Sequence, residues 1–261
     1  MMGSHPNEFF RRLKKCKKEE TPLKSCLIIA AGMGTRLSGV GDSKPLITLL
    51  GKPLIVRVIE TVRKAGITHF CVVTGFNREK VESALNVVKE ELHITVDFVF
   101  NPEWEKQNGI SVLKSNEVLH DSFLLVMTDH MFDPQILEKI KSTPMGNHAV
   151  KLAIDTRLVN NPYVDIDDVT KVLMNPVNNN IMDIGKTITH YNAYDTGIFR
   201  CTPALYDALE ESIKKGDSSL SGGMRMLSAR GQAGVMDIGD LFWIDVDNEE
   251  MLRKAEVILS N

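Results

Sequence analysis

Cysteine is scarce, and its spacing carries no chemistry: Cys16, Cys26, Cys71 and Cys201, in 261 residues, form no CxxC pair. That excludes a zinc ribbon or a disulfide framework and points to reduced thiols, two of them in buried strands. The seven histidines show no HExxH or comparable ligand spacing. No apolar run approaches the roughly 18 residues needed to span a bilayer, and the N-terminus lacks the apolar core of a secretory signal, so a cytoplasmic location is expected. Charge of one sign is not in excess either. The 31 Lys and Arg against 34 Asp and Glu leave a net charge of −3, which gives no global reason to expect nucleic acid as a partner. What is present is a chain with 43% hydrophobic residues, able to bury one large core with or without a lobe.

The most informative stretch is Leu27-Ile28-Ile29-Ala30-Ala31-Gly32-Met33-Gly34-Thr35-Arg36-Leu37, followed by Gly39-Val40-Gly41-Asp42-Ser43-Lys44-Pro45-Leu46. A strand-length apolar run breaks into glycines and an arginine, with a lysine eight residues on. An α/β protein presents backbone N–H groups and cations to a phosphate chain in this way. It is not a Walker A loop, because Val40 and Gly41 stand where Lys-Ser/Thr is required after Gly34 and Gly39. Nor is it a dinucleotide fingerprint, since Leu37 replaces the third glycine.

Around it the chain reads as alternating strands and helices. Six cations from Arg11 to Lys18, behind Phe9, Phe10 and Leu13, form a basic leader over residues 1–22, read as solvated in preference to a membrane-surface segment. Pro53 opens a helix at its first position, with Leu54, Ile55, Val58, Ile59 and Val62 on one face and Gly66 at its end. His69 to Gly75 is a buried strand. Asn77 is placed to cap a helix with Val81, Ala84, Leu85 and Val88 inward, and Ile94, Val96, Phe98 and Phe100 alternate as a strand. This rhythm implies βαβ units and a mainly parallel, three-layer α/β fold.

Three later stretches carry chemical groups. Asn108-Gly109 leaves the carboxyl end of a strand, where open α/β sheets bind ligands, although Asn-Gly is also an ordinary turn. The strand Phe123 to Met127 ends in Thr128-Asp129-His130, and Asp129 is either a magnesium ligand or a cap ahead of Asp133-Pro134; His130 reads as a structural hydrogen-bonding residue. The strand His148 to Asp155 contains Lys151, which either snorkels at a sheet edge or is aimed at an anion. Residues 155–195 form an insertion with a hairpin, Val169 to Met174 and Ile181 to Ile184, expected to be a lid or second-substrate lobe on a single domain spanning 23–261. The strand Asp195 to Arg200 and two helices follow. Asp245 and Asp247, two apart on a final apolar strand, share a face, and are either a metal pair or one cap and one solvated carboxylate. Asn248 caps the last helix, from Glu249 to Leu259.

The loop Gly32-Met33-Gly34-Thr35-Arg36 with Ser43-Lys44-Pro45 resembles the signature of the sugar-phosphate nucleotidyltransferases. The order of loop, Asn-Gly, strand-end aspartate, Asp-Thr-Gly strand and terminal Asp-x-Asp extends that resemblance over roughly residues 25 to 259. A narrower likeness is to the inositol-1-phosphate cytidylyltransferases, which make CDP-inositol. It rests on Met127 to His130, Val164-Asp165, Val169 to Val172, Ile184-Gly185-Lys186 and Phe242 to Asp247. The resemblance implies a Rossmann-like mixed sheet with a small β-rich acceptor lobe. By it, Ala30, Ala31 and Gly32 meet the base of CTP with Asn108 and Gly109, Gly34, Thr35 and Arg36 hold the β- and γ-phosphates, and Lys44 holds the α-phosphate. Asp129 binds Mg²⁺ with Asp247 or Asp245, of which Asp247 is preferred. Lys151 meets the acceptor phosphate, and Asp195, Thr196 and Gly197 line the acceptor side, where the usual Asn-Thr-Gly has become Asp-Thr-Gly.

The implied reaction is attack by the phosphate of inositol 1-phosphate on the α-phosphorus of CTP, releasing pyrophosphate. Phosphocholine or a hexose 1-phosphate as acceptor, another nucleotide as donor, and a non-catalytic nucleotide-binding subunit remain the alternatives. In the family the product feeds a membrane-embedded transferase, which is therefore an expected downstream partner.

Overall fold

The computed structural model describes residues 23–37, 39–159 and 161–260; the basic leader and Cys16 lie outside them. Strand β1 (Ser25–Ala30) leads into the glycine loop, and a two-residue ladder, β2 (Thr48–Leu49) with β3 (Lys52–Pro53), precedes the helix Leu54–Lys64. Next come β4 (His69–Thr74), the helix Arg78–Leu92, β5 (Thr95–Phe100), the short helix Gly109–Lys114, β6 (Phe123–Met127), β7 (His130–Phe132) and the helix Pro134–Ser142. The second half holds β8 (Val150–Asp155), β9 (Lys171–Met174), β10 (Ile181–Gly185) and β11 (Ala193–Cys201). The helices Ala204–Lys214 and Leu220–Ala229, then β12 (Ala233–Asp237), β13 (Trp243–Asp245) and the helix Glu249–Leu259 complete it.

The sheet runs β10-β9-β11-β6-β1-β4-β5, with β8 beside β11 and β12 beside β8. Its centre, β6-β1-β4-β5, is parallel, as is the β8–β12 pair. The chain passes from β1 to β4 and β5 on one side and returns to β6 on the other. The carboxyl end of β1 is therefore a topological switch point, where the two flanking connections diverge and leave a crevice.

Alternation along the strands builds two cores. Cys26, Ile28 and Ala30 face a cluster with Leu54, Ile55, Val58, Ile59, Val62, Leu137 and Leu252. Leu27 and Ala31 face a second with Val112, Leu205, Leu209, Met224 and Leu227. Helices cover both faces, the three-layer arrangement expected from the βαβ rhythm. Among the described residues, Cys26, Cys71 and Cys201 form no disulfide and are buried in strands, and burial pushes their thiols up.

Local chemistry differs from expectation at two helix starts. Pro53 is the residue before the first helix rather than its first turn, because it pairs with Thr48 in the small ladder. Asn77 precedes the next helix in a left-handed conformation without capping it; its amide donates instead to the Asp42 carbonyl at 2.7 Å, tying down the glycine loop. Asn248 does cap the last helix, its Oδ1 accepting from Met251 N at 3.0 Å.

The hairpin β9–β10 continues the main sheet, because β11 is long enough to serve two sets of partners. Its start pairs with β9 and its end with β6, while β8 lies along its other edge. A register shift between Asp195 and Phe199 marks the change.

At the root of the inserted segment, the fully buried Asp155 carboxylate accepts from Arg157 N, Nε and Nη2, Asn161 Nδ2 and Trp243 Nε1, all at 2.8–2.9 Å. One side chain thus joins β8, the insertion and the terminal strand. Asp155→Ala strands the Trp243 N–H and is expected to cost about 3 kcal/mol, read as a lowered urea midpoint with an unchanged slope.

Candidate active site

A cleft of about 740 Å³ opens at the carboxyl ends of the parallel strands, within the size range of small-ligand sites. The glycine loop forms one wall. Gly34 adopts φ +70°, and a Cβ there would run into the side chain of Lys44, so only glycine lets this turn close on the lysine stem. Gly32, Gly34, Thr35, Arg36 and Lys44 all line the cleft. Ala30 lines it as well, whereas the Ala31 carbonyl is taken by Phe76 N at 2.9 Å.

Strand-end carboxylates answer these cations. Lys44 Nζ lies 2.5 Å from Asp129 Oδ2 and also bonds Asp247 Oδ1. Arg36 Nη2 donates to Asp247 Oδ2 at 2.8 Å and to Asp168 Oδ2 at 3.1 Å. Burial works against the charge of Lys44, but Asp129, Asp245 and Asp247 outweigh it and raise its pKa. Burial likewise opposes the ionised form of Asp129, and Lys44 and His130 reverse the balance, holding its carboxyl well below the usual range.

The pairing of β13 with β7 sets Asp245 opposite His130. His130 Nδ1 is 2.7 Å from Asp129 Oδ1, and the ring stacks on Trp243 at 6.0 Å. Burial disfavours the imidazolium, but Asp245 and Asp129 push its pKa up to about 9. His130 is thus a hydrogen-bonding support for Asp129, as expected. The cap ahead of the next helix is Asp133, which accepts from Gln135 N at 2.8 Å; Asp129 is left for the cleft.

The acidic set suits a hard divalent cation. Among the described residues no hydrogen-bond donor reaches the buried Asp245 Oδ1, and burial, with Asp129 and Asp247 nearby, pushes this carboxyl up. Ligand atoms of Asp129, His130 and Asp245, and separately of Asp168, Asp245 and Asp247, lie within 4.8 Å of one another. A buried oxygen lacking a donor among clustered carboxylates is the environment an oxygen-seeking ion such as Mg²⁺ fills.

From β11, Asp195 and Gly197 reach the cleft. Asp195 Oδ1 accepts from Gly197 N at 2.7 Å, and burial pushes its carboxyl up to about 6. Thr196 turns away and donates to the Ala153 carbonyl at 2.8 Å. Asn108 lines the cleft, but its Oδ1 accepts from Leu220 N at 2.9 Å. Gly109 packs beneath Ser218 rather than opening on the cleft.

Lys151 does not join this group. It is buried near the amino end of β8, paired in register with Arg200, and burial followed by Arg200 lowers its pKa. The cleft edge of that strand is marked by Ile154, which pairs with Asp195, three residues or roughly 10 Å farther along. The expectation that Lys151 meets the acceptor phosphate is corrected by strand polarity: its end of β8 lies away from the carboxyl edge. Lys186, just past β10, lines the cleft instead and donates to Asp168 Oδ1 at 2.8 Å. Sequence reasoning assigned no role to Lys186 or Asp168. Lys186 stood in the Ile184-Gly185-Lys186 stretch of the resemblance without a role of its own, and Asp168 was one of several aspartates in a turn-rich loop.

Residues 26–157 match the family described as the MobA-like NTP transferase domain. The bifunctional IPC transferase and DIPP synthase of Aquifex aeolicus is 28% identical over 239 residues, covering 91% of this chain and 52% of that protein. The protein of the same name from Rubrobacter xylanophilus is 29% identical over 239 residues, covering 88% of this chain and 50% of that one. The chain therefore spans about half the length of these curated relatives. Among solved structures, the inositol-1-phosphate CTP transferase from T. maritima superimposes with a TM-score of 0.78 at 26% identity, over 91% of this chain and 98% of that one. A UDP-glucose pyrophosphorylase complexed with UDP-glucose gives 0.73 at 19% identity, over 91% and 98%, a likeness of fold.

Gly197 combines φ +73° with a position where a Cβ would come within 2.6 Å of the His130 ring. Gly197→Ala is expected to displace His130 from Asp129 and to cost about 1–3 kcal/mol. A lowered thermal midpoint and a shifted His130 ring resonance would report both effects.

Proposed function

Because the chain belongs to the MobA-like NTP transferase family, we propose that it transfers a cytidylyl group from CTP to inositol 1-phosphate, giving CDP-inositol and pyrophosphate. The observation that carries this reading is the convergence of Arg36 and Lys44 from the glycine loop, Lys186 from the insertion, and Asp129, Asp245 and Asp247 on one cleft. Two phosphate-bearing substrates need several cations around a reacting phosphorus, and Arg36, Lys44 and Lys186 line this cleft. The names of the T. maritima structure and of the longer relatives support the choice of base and acceptor.

In this reaction a phosphate oxygen of the acceptor forms a bond to the α-phosphorus of CTP as the bond to the β-phosphate oxygen breaks. The nucleophile is already anionic, so positioning and charge neutralisation do most of the work. Arg36, with Gly34 and Thr35, holds the β- and γ-phosphates that leave. Lys44, swung from its carboxylate partners, offsets charge on the α-phosphoryl oxygens. Lys186 takes the acceptor phosphate, and Asp195 and Gly197 border the polyol. Ala30, Gly32 and Asn108 border the base. Asp129, with Asp245 and Asp247, would hold Mg²⁺, which supplies positive charge against the triphosphate when bound.

Lys44→Ala is expected to lower turnover by about two orders of magnitude or more, measured as pyrophosphate release; near-parental rates would remove Lys44 from the α-phosphate. Asp129→Asn is expected to move the magnesium titration to higher concentration or abolish it. A panel of four nucleoside triphosphates against inositol 1-phosphate, phosphocholine and glucose 1-phosphate tests the substrates themselves. A preference outside the CTP and inositol 1-phosphate pair would overturn the assignment while leaving the reaction class intact.

A further inference from the structure

Asp168 stands in the Asp165–Asp168 turn of the inserted segment and divides its carboxylate between two cations. Oδ2 accepts from Arg36 on the glycine loop at 3.1 Å, and Oδ1 accepts from Lys186 beyond β10 at 2.8 Å. These cations come from segments far apart in the chain that line one cleft, and Asp168 bridges them. The turn has its own supports: Asp168 N donates to the Asp165 carbonyl at 3.2 Å, and Asp165 Oδ2 accepts from Asn248 Nδ2 at 3.2 Å. The Asp168 side chain is 22% exposed, so it lies within the cleft wall. Its carboxylate occupies, between Arg36 and Lys186, the kind of place a bound phosphate takes.

We propose that Asp168 is a positioning residue that couples the two substrates, so that binding of the donor triphosphate prepares the acceptor side. The inference rests on the cytidylyltransferase reading above. A triphosphate that takes Arg36 removes one of the two cations that pin the Asp168 turn across the cleft. Lys186 is then held by a single bond from a loosened turn, and the acceptor phosphate displaces that bond at lower cost. Without the donor, the acceptor must pull Lys186 from a carboxylate fixed at both ends. Coupling of this kind is reciprocal, so the acceptor also strengthens donor binding by the same factor. It favours assembly of the pair of anions over occupation by either alone.

The test is calorimetric titration of inositol 1-phosphate into the protein with and without saturating α,β-methylene CTP and Mg²⁺, a donor analogue that cannot release pyrophosphate. In the parent protein the analogue is expected to tighten acceptor binding about fivefold or more, within the range of ordinary site-to-site coupling. Asp168→Asn, which keeps the shape but not the charge, is expected to bind the acceptor more tightly without the analogue. Its coupling ratio should fall to within about twofold of unity, while Asp168→Glu retains the coupling. A ratio near unity in the parent protein, or one unchanged in Asp168→Asn, overturns the proposal. Failure of the analogue to bind the parent protein at all would instead sink the cytidylyltransferase reading, and the coupling with it.

Discussion

The arrangement of the cleft depends on Lys44 lying between two carboxylates, Asp129 just past the central strand β6 and Asp247 just past β13. A lysine this enclosed keeps its charge because anions surround it, and Lys44 together with His130 in turn holds the buried Asp129 ionised. Asp247 also holds Arg36, so the cations of the glycine loop are stored against the protein's own carboxylates. In the proposed reaction, phosphates that displace them would exchange one set of anions for another. The cleft thereby avoids the cost of gathering unpaired positive charge in a partly buried crevice.

That ionic knot is held in place by apolar packing and one buried carboxylate behind it. Trp243 stacks on His130, His130 bonds Asp129, and the Trp243 indole donates to Asp155. Asp155 in turn gathers Arg157 and Asn161 at the root of the insertion. The donor side, the carboxylates and the inserted segment that carries Asp168 are therefore connected through short contacts. The switch point between β1 and β6 supplies the opening into which these groups project, as open parallel sheets do wherever chain direction reverses across the sheet.

Much of this was legible in the sequence because it is local. The glycine loop read as an anion-facing turn through residue type alone: glycines permit close backbone approach, and Arg36 and Lys44, which line the cleft, supply charge. The strand-and-helix rhythm declared the layered fold, since periods of two and near four residues reflect which side chains must be buried. Asp129 and the Asp245–Asp247 pair stood out because carboxylates at the ends of apolar strands are costly without a partner. Lys151 read either as a sheet-edge lysine or as one aimed at an anion, and only the family resemblance gave it the acceptor phosphate. Burial of a cation in a strand says nothing about which end of the sheet it occupies.

The sequence by itself thus determined the α/β layering, the glycine loop with its two cations and the strand-end acids, all of which follow from patterns within about ten residues. Only the tertiary structure decided that Lys186 rather than Lys151 faces the cleft, that Asp168 reaches Arg36 across 132 positions, and that Thr196 and Gly109 turn to packing. These outcomes depend on the pairing of β11 with three strands and on strand polarity. Neither is encoded in any one segment, because both arise when separate segments compete to bury their apolar faces on the same sheet.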